Sequence, residues 1–294
     1  MPYLSLLIQK TNSMNAIIKM LVLAVALLVT KVHAQDFQGI ATYKSKRKIE
    51  IKLDSSQVNS EMQQRMMESL KKQFEKTFNL TFNKEESIYK EEEALSPPQP
   101  AGMQIVMINT SGADILYKNM KEDRFTNQND VFGKIFLIKD KLNKTDWKLE
   151  SESKNIGEYT CFKATTTRER EKRVGGIRIN RDKDLDAEEE KAPEMETITI
   201  TAWYTPQIPV SIGPGNYHGL PGLILEVNDG SETVICSKIV LNPNDKVDIS
   251  EPNKGKVVTQ AEFDEIMEKK MEEMKERYNS KRSDGHEIEI KIGG

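Results

Sequence analysis

Histidine, cysteine and aromatic residues are scarce in this chain of 294 residues: three His, two Cys, and 6% Phe, Trp and Tyr together. Two cysteines cannot staple a disulfide-rich scaffold, and so few histidines cannot build a His-rich metal centre. Long apolar runs are scarcer still. Only Met20 to Thr30 is continuous, and its 11 residues fall short of the roughly 20 that span a bilayer, so a multi-span membrane protein is excluded. The chain also has no Gly-x-x-x-x-Gly-Lys-Ser/Thr phosphate loop, no Gly-x-Ser-x-Gly elbow and no His-Glu-x-x-His pair. No catalytic constellation is visible. Full disorder is excluded as well, because Val, Ile, Phe and Met recur with strand and helix periods.

What is present begins with an address. Lys10 and Lys19 precede the apolar run, and Val32-His33-Ala34 puts a branched and a small residue at positions −3 and −1. Residues 1–34 are therefore expected to be a secretory signal peptide cleaved before Gln35, with a retained anchor as the alternative. No Cys follows the site to accept a lipid, and Met14 offers a second start ahead of a compact signal. Cleavage removes Lys10, Lys19 and Lys31 but no acid, moving the formal charge from −3 to −6. Mild acidity argues against generic nucleic-acid or anionic-membrane binding. The expectation is a periplasmic or secreted protein without a transmembrane anchor after cleavage, with no cofactor, and with an unidentified envelope protein or glycan as partner.

Alternation of apolar and polar residues predicts short strands at 39–46, 80–83, 87–89, 114–119, 124–127, 132–139, 147–151, 159–167, 197–204, 222–228 and 232–240. Their spacing is that of an antiparallel meander, with Asp229-Gly230 marking a hairpin. Two capping boxes, Ser60 to Gln63 and Thr259 to Glu262, open amphipathic helices. The first carries Met62, Met66, Leu70, Phe74 and Phe78, and the second Phe263, Ile266, Met267, Met271, Met274 and Tyr278. One α+β domain over 35–280 follows: a curved, mostly antiparallel sheet, bowl-like or an open barrel, with two helices. A charged, mobile insertion is expected at 168–194, and a tail over 281–294 whose His286–Ile292 alternates like a last strand. Asp182 to Glu188 resembles a calcium loop, but Ala187 stands where the turn needs Gly and Pro193 where the bidentate Glu belongs, so no metal is expected.

Cys161 and Cys236 both fall in predicted strands, 75 positions apart. In an oxidising compartment they form either a disulfide or two separate thiols. The densest local signal is Gly213-Pro214-Gly215-Asn216-Tyr217-His218-Gly219-Leu220-Pro221-Gly222-Leu223-Ile224. Each Pro-Gly pair suits a type II turn, which places Gly215 and Gly222 at positive φ. An anion cradle is the rival use, but no helix follows to add its dipole. Trp203, Tyr204, Tyr217 and His218 are the candidate binding residues, against a core role for the strand aromatics.

Gly219-Leu220-Pro221-Gly222-Leu223-Ile224 resembles, letter for letter, the motif of the GLPGLI family of exported Bacteroidetes proteins. Trp147, Tyr159 to Ala164, Ala202 to Thr205, Ile208-Pro209-Val210 and Gly213-Pro214 extend the resemblance over about 35–270, outside the charged insertion. It implies a bowl-shaped β domain like that ahead of the catalytic part of some secreted peptide-N-glycosidases, and it carries no catalytic residues. No such catalytic domain is expected after residue 280, so that activity is not transferred. Three functions stay open: a non-enzymatic ligand- or partner-binding module of the envelope, a carbohydrate-binding accessory protein, and a carboxylate-dependent hydrolase.

Overall fold

A computed structural model describes residues 37–47, 51–52, 75–92, 115–131, 133–171, 176–178, 195–281 and 290–291. The first strands are β1 (Gln38–Arg47), β2 (Ile51–Lys52), β3 (Lys76–Asn83), β4 (Glu86–Glu91), β5 (Ile115–Asn119), β6 (Arg124–Val131) and β7 (Lys134–Lys141). There follow β8 (Lys148–Ile156), β9 (Tyr159–Glu171), β10 (Gly176–Arg178), β11 (Met195–Thr205), β12 (Leu223–Asn228), β13 (Glu232–Leu241) and β14 (Lys256–Val258). Helix α1 (Gln260–Lys281) and β15 (Ile290–Lys291) complete the set.

Twelve strands form one open, curved sheet in the order β14-β7-β6-β5-β4-β3-β1-β13-β12-β11-β9-β8. Two meanders, β3 to β7 and β8-β9-β11-β12-β13, meet at β1, which pairs antiparallel with both β3 and β13. Within this sheet, among the described residues, only β14 runs parallel to its neighbour, β7. The α+β class holds, with one helix among the described residues. A second, three-stranded sheet has the order β15-β10-β2. It includes Ile290–Lys291 of the expected last strand.

The register puts the core on one face. Leu116, Tyr89, Leu80 and Ala41 stand opposite one another across β5, β4, β3 and β1, and all are buried. The β5–β6 and β6–β7 pairings carry this face outward to Ile138 and Phe136, where α1 covers it with Phe263. The Phe136 and Phe263 rings meet edge to face at 5.6 Å. The expected capping box opens α1: Thr259 Oγ1 accepts from the Glu262 amide at 3.3 Å, and Glu262 Oε2 accepts from the Thr259 amide at 2.7 Å.

Two expectations need correction, and of the two states left open for the cysteines one is found. Phe78 does not end a helix; it lies in β3 and stacks on Tyr89 at 4.8 Å, while Met62 to Phe74 lie outside the described residues. The expected charged insertion does not start at 168, because β9 continues to Glu171 against β11 as far as Met195. Opposed charges support that extension, with Arg170 directly across from Glu196 and bonded to it at 2.8 Å. Finally, Cys161 and Cys236 are free thiols, on β9 and β13, with β11 and β12 between them in the sheet. The Asp182 to Glu188 stretch lies outside the described residues.

Candidate functional site

The 206–222 segment joins β11 to β12 and folds back over the core face. Ile208, Val210, Ile212 and Leu220 are all at most 3% exposed, so the segment is part of the core. Prolines shape it, though not as type II turns. The Tyr217 amide donates to Pro214 O at 3.1 Å, which makes Pro214 the first residue of the turn and Gly215, at φ +53°, the second. The Gly222 amide donates to Leu220 O at 2.8 Å, closing a γ-turn centred on Pro221. Gly219 has φ +92°, but Gly222 does not have positive φ. Gly222 is required for another reason: a Cβ there would lie 2.2 Å from the Thr205 carbonyl oxygen.

Under the turn lies a residue that the motif does not contain. Lys118 of β5 is 1% exposed, and its Nζ donates to the carbonyls of Gly213 at 2.9 Å, Gly215 at 2.6 Å and Tyr217 at 3.3 Å. Three N–H groups meet three carbonyls, so the ammonium is fully used. Burial pushes its pKa down to about 7, while the charge-assisted bonds to the carbonyls favour the charged form. Ser87, directly across from Lys118 on β4, is fully buried and its hydroxyl makes no hydrogen bond. A Ser-Lys nucleophilic pair is not formed here, because Lys118 Nζ is turned to the three carbonyls and makes no hydrogen bond with the Ser87 hydroxyl.

His218 is 6% exposed and forms an isolated bridge with Ile212. Burial, then the nearby Lys118 ammonium, lower its pKa to about 4, against the opposing pull of Asp123 and of the Asn143 carbonyl that accepts from the ring. Trp147 Nε1 donates to His218 O at 2.8 Å, and the Trp147 and Tyr217 rings lie 6.5 Å apart. Both rings pack against the buried cluster of Ala164, Ile200, Ala202, Tyr204, Leu220 and Ile224.

The four candidate binding residues therefore separate. Tyr217 and His218 meet at the turn, and Tyr204 belongs to the core below it. Trp203 is on the opposite face, in register with Lys163 and Glu226. Lys154 Nζ sits 4.4 Å from the centre of its ring and bonds Glu226 at 2.7 Å, so one face of the ring is already covered. Lys118 was the residue missed. Its signal was a single Lys two positions after Leu116, on the phase of the strand that alternation assigns to the core.

No curated protein matches the chain. Two solved structures of PNGF-II, in the C2 and P21 space groups, are similar to it at 15% and 16% identity, with TM-scores of 0.44 and 0.43. The similarity covers 78% and 79% of this chain but 32% and 33% of theirs, so the chain spans about a third of the length of those proteins. Residues 147–226, from Trp147 through the Gly-Leu-Pro-Gly-Leu-Ile motif to Glu226, match the family described as protein of unknown function (Porph_ging).

Proposed function

We propose that the chain is an exported protein of the GLPGLI type that serves the cell envelope as a partner-binding module rather than as an enzyme. One observation supports this most: the motif is committed to the scaffold. Its glycines and Pro221 form a turn and a close strand contact, and the carbonyls of Gly213, Gly215 and Tyr217 just before it hold Lys118. Surface available for a partner lies beside it. Leu149 on the edge strand β8 and Phe162 on β9 are 56% and 37% exposed. Leu149 stands opposite Ala164, two residues from Phe162, which puts both side chains on the core face beyond its covered part. The cover on Trp203 favours a protein partner over a stacked sugar.

Capture by crosslinking, with residues 35–294 as bait in an envelope fraction, tests the reading. The expected result is a specific partner that Leu149→Glu with Phe162→Glu loses. Sustained hydrolysis of a glycan or glycopeptide by the purified chain, removed by one carboxylate substitution, would overturn it. Export is tested separately by fractionation and N-terminal peptide mapping. The mature form is expected to begin at Gln35, and recovery of residues 15–30 in it would refute cleavage.

A further inference from the structure

We propose that the 213–218 turn is an acid-operated latch, in which protonation of His218 beside the Lys118 ammonium frees the turn, and Tyr217 with it, from the sheet. The geometry supplies the parts. Lys118 brings a positive charge to the turn through three main-chain carbonyls, and the third of these belongs to Tyr217, the residue before His218. His218 is buried in the same place, so a proton on its ring would add a second positive charge where little water can screen it. The piece that would move is short. Gly215 and Gly219, both at positive φ, bracket residues 216–218, and Asn216 is exposed while Ile212 and Leu220 stay buried as anchors.

The charged groups around the site decide the direction. Lys118 on β5 opposes a proton on His218, and Asp123 in the β5–β6 turn favours one, as does the Asn143 carbonyl. Asp229, Arg168, Glu232 and Arg170 surround the Tyr217 phenol as two acids and two bases. Burial and Lys118 hold the His218 ring neutral down to about pH 4. Removing Lys118 therefore moves the release to higher pH, and removing Asp123 moves it lower.

Trp147 reports on the latch through its bond to His218 O. In the mature chain carrying Trp203→Phe, Trp147 emission is followed from pH 8 to pH 3 beside far-UV circular dichroism. The expected result is a fluorescence transition near pH 4 that precedes loss of the sheet signal. Adding His218→Gln removes it, and Lys118→Met raises its midpoint by a unit or more. Should Lys118→Met not fold, Asp123→Asn is the second variant, expected to lower the midpoint; Asn tolerates the φ of +53° found there. A transition that survives His218→Gln overturns the latch. So does one that neither charge substitution moves, or one that coincides with global unfolding.

Discussion

Lys118 Nζ and the Gly215 carbonyl oxygen are 97 positions apart in the chain and 2.6 Å apart in space. In sheet order β4, β3, β1 and β13 lie between β5, which carries Lys118, and β12, into which the loop leads. One ammonium thus ties the first meander to the loop of the second. Tyr43 makes a parallel tie from β1, its hydroxyl donating to Ile224 O at 2.7 Å.

Replacing Lys118 tests that tie. Lys118→Met keeps most of the stem volume but leaves three carbonyls of the turn without their donor. An unsatisfied buried carbonyl costs about 1–3 kcal/mol, so the variant is expected to lose about 3 kcal/mol or more, less whatever water recovers. Urea midpoints at neutral pH measure this. Lys118→Arg is not expected to restore stability, because a planar guanidinium does not fit a three-carbonyl cradle shaped for an ammonium. A Met variant as stable as the wild type would show that the carbonyls find other partners.

The glycines of the loop separate steric need from conformational need. Gly222→Ala places a Cβ 2.2 Å from the Thr205 oxygen and 2.5 Å from its carbonyl carbon, so backbone must shift. A loss of about 2–4 kcal/mol is expected. At Gly215 a Cβ meets nothing within 4 Å, and the difficulty is φ alone. Gly215→Ala should cost about 1 kcal/mol and Gly215→Asn less, since Asn accepts that region more readily. Equal losses at Gly222 and Gly215 would contradict this division.

Local signals in the sequence carried much of the fold. Alternation located β1, β9, β11 and β13, the Asp229-Gly230 pair marked the hairpin, and Thr259 with Glu262 marked the start of α1. Each of these is settled by neighbours in the chain. Partners distant in sequence were not legible, such as β1 between β3 and β13, or Lys118 under the motif turn. The Pro-Gly pairs misled for a related reason. Proline sets its own φ but does not choose between a β-turn and a γ-turn, and the approach of β11 decided that Gly222 is needed for space. Trp203 and Tyr204 are adjacent on a strand, and only the register shows which of them enters the core.

The two thiols should behave as separate groups. Burial raises Cys161 to about 11 and Cys236 to about 12, so both stay protonated and react slowly in the native protein. After denaturation without reductant, an alkylating reagent is expected to modify both. Mass analysis showing neither modified, together with a loss of two hydrogens, would establish the bridge instead.

His218 makes stability depend on acidity in a defined direction. Its pKa is about 4 in the folded chain, against an ordinary value of 6.5. Between those values the unfolded chain binds more protons, so the folded state loses stability as pH falls from 6.5 to 4 and recovers it as pH rises. The full shift corresponds to about 3 kcal/mol, at about 1.4 kcal/mol for each pH unit. Other groups also titrate in acid, so the comparison is between wild type and His218→Gln, each unfolded by urea at pH 7, 5.5 and 4.5. The wild type is expected to lose about 2 kcal/mol more than the variant over that range. Parallel pH profiles for the two proteins would mean that the imidazole takes up its proton in the folded chain as easily as in water.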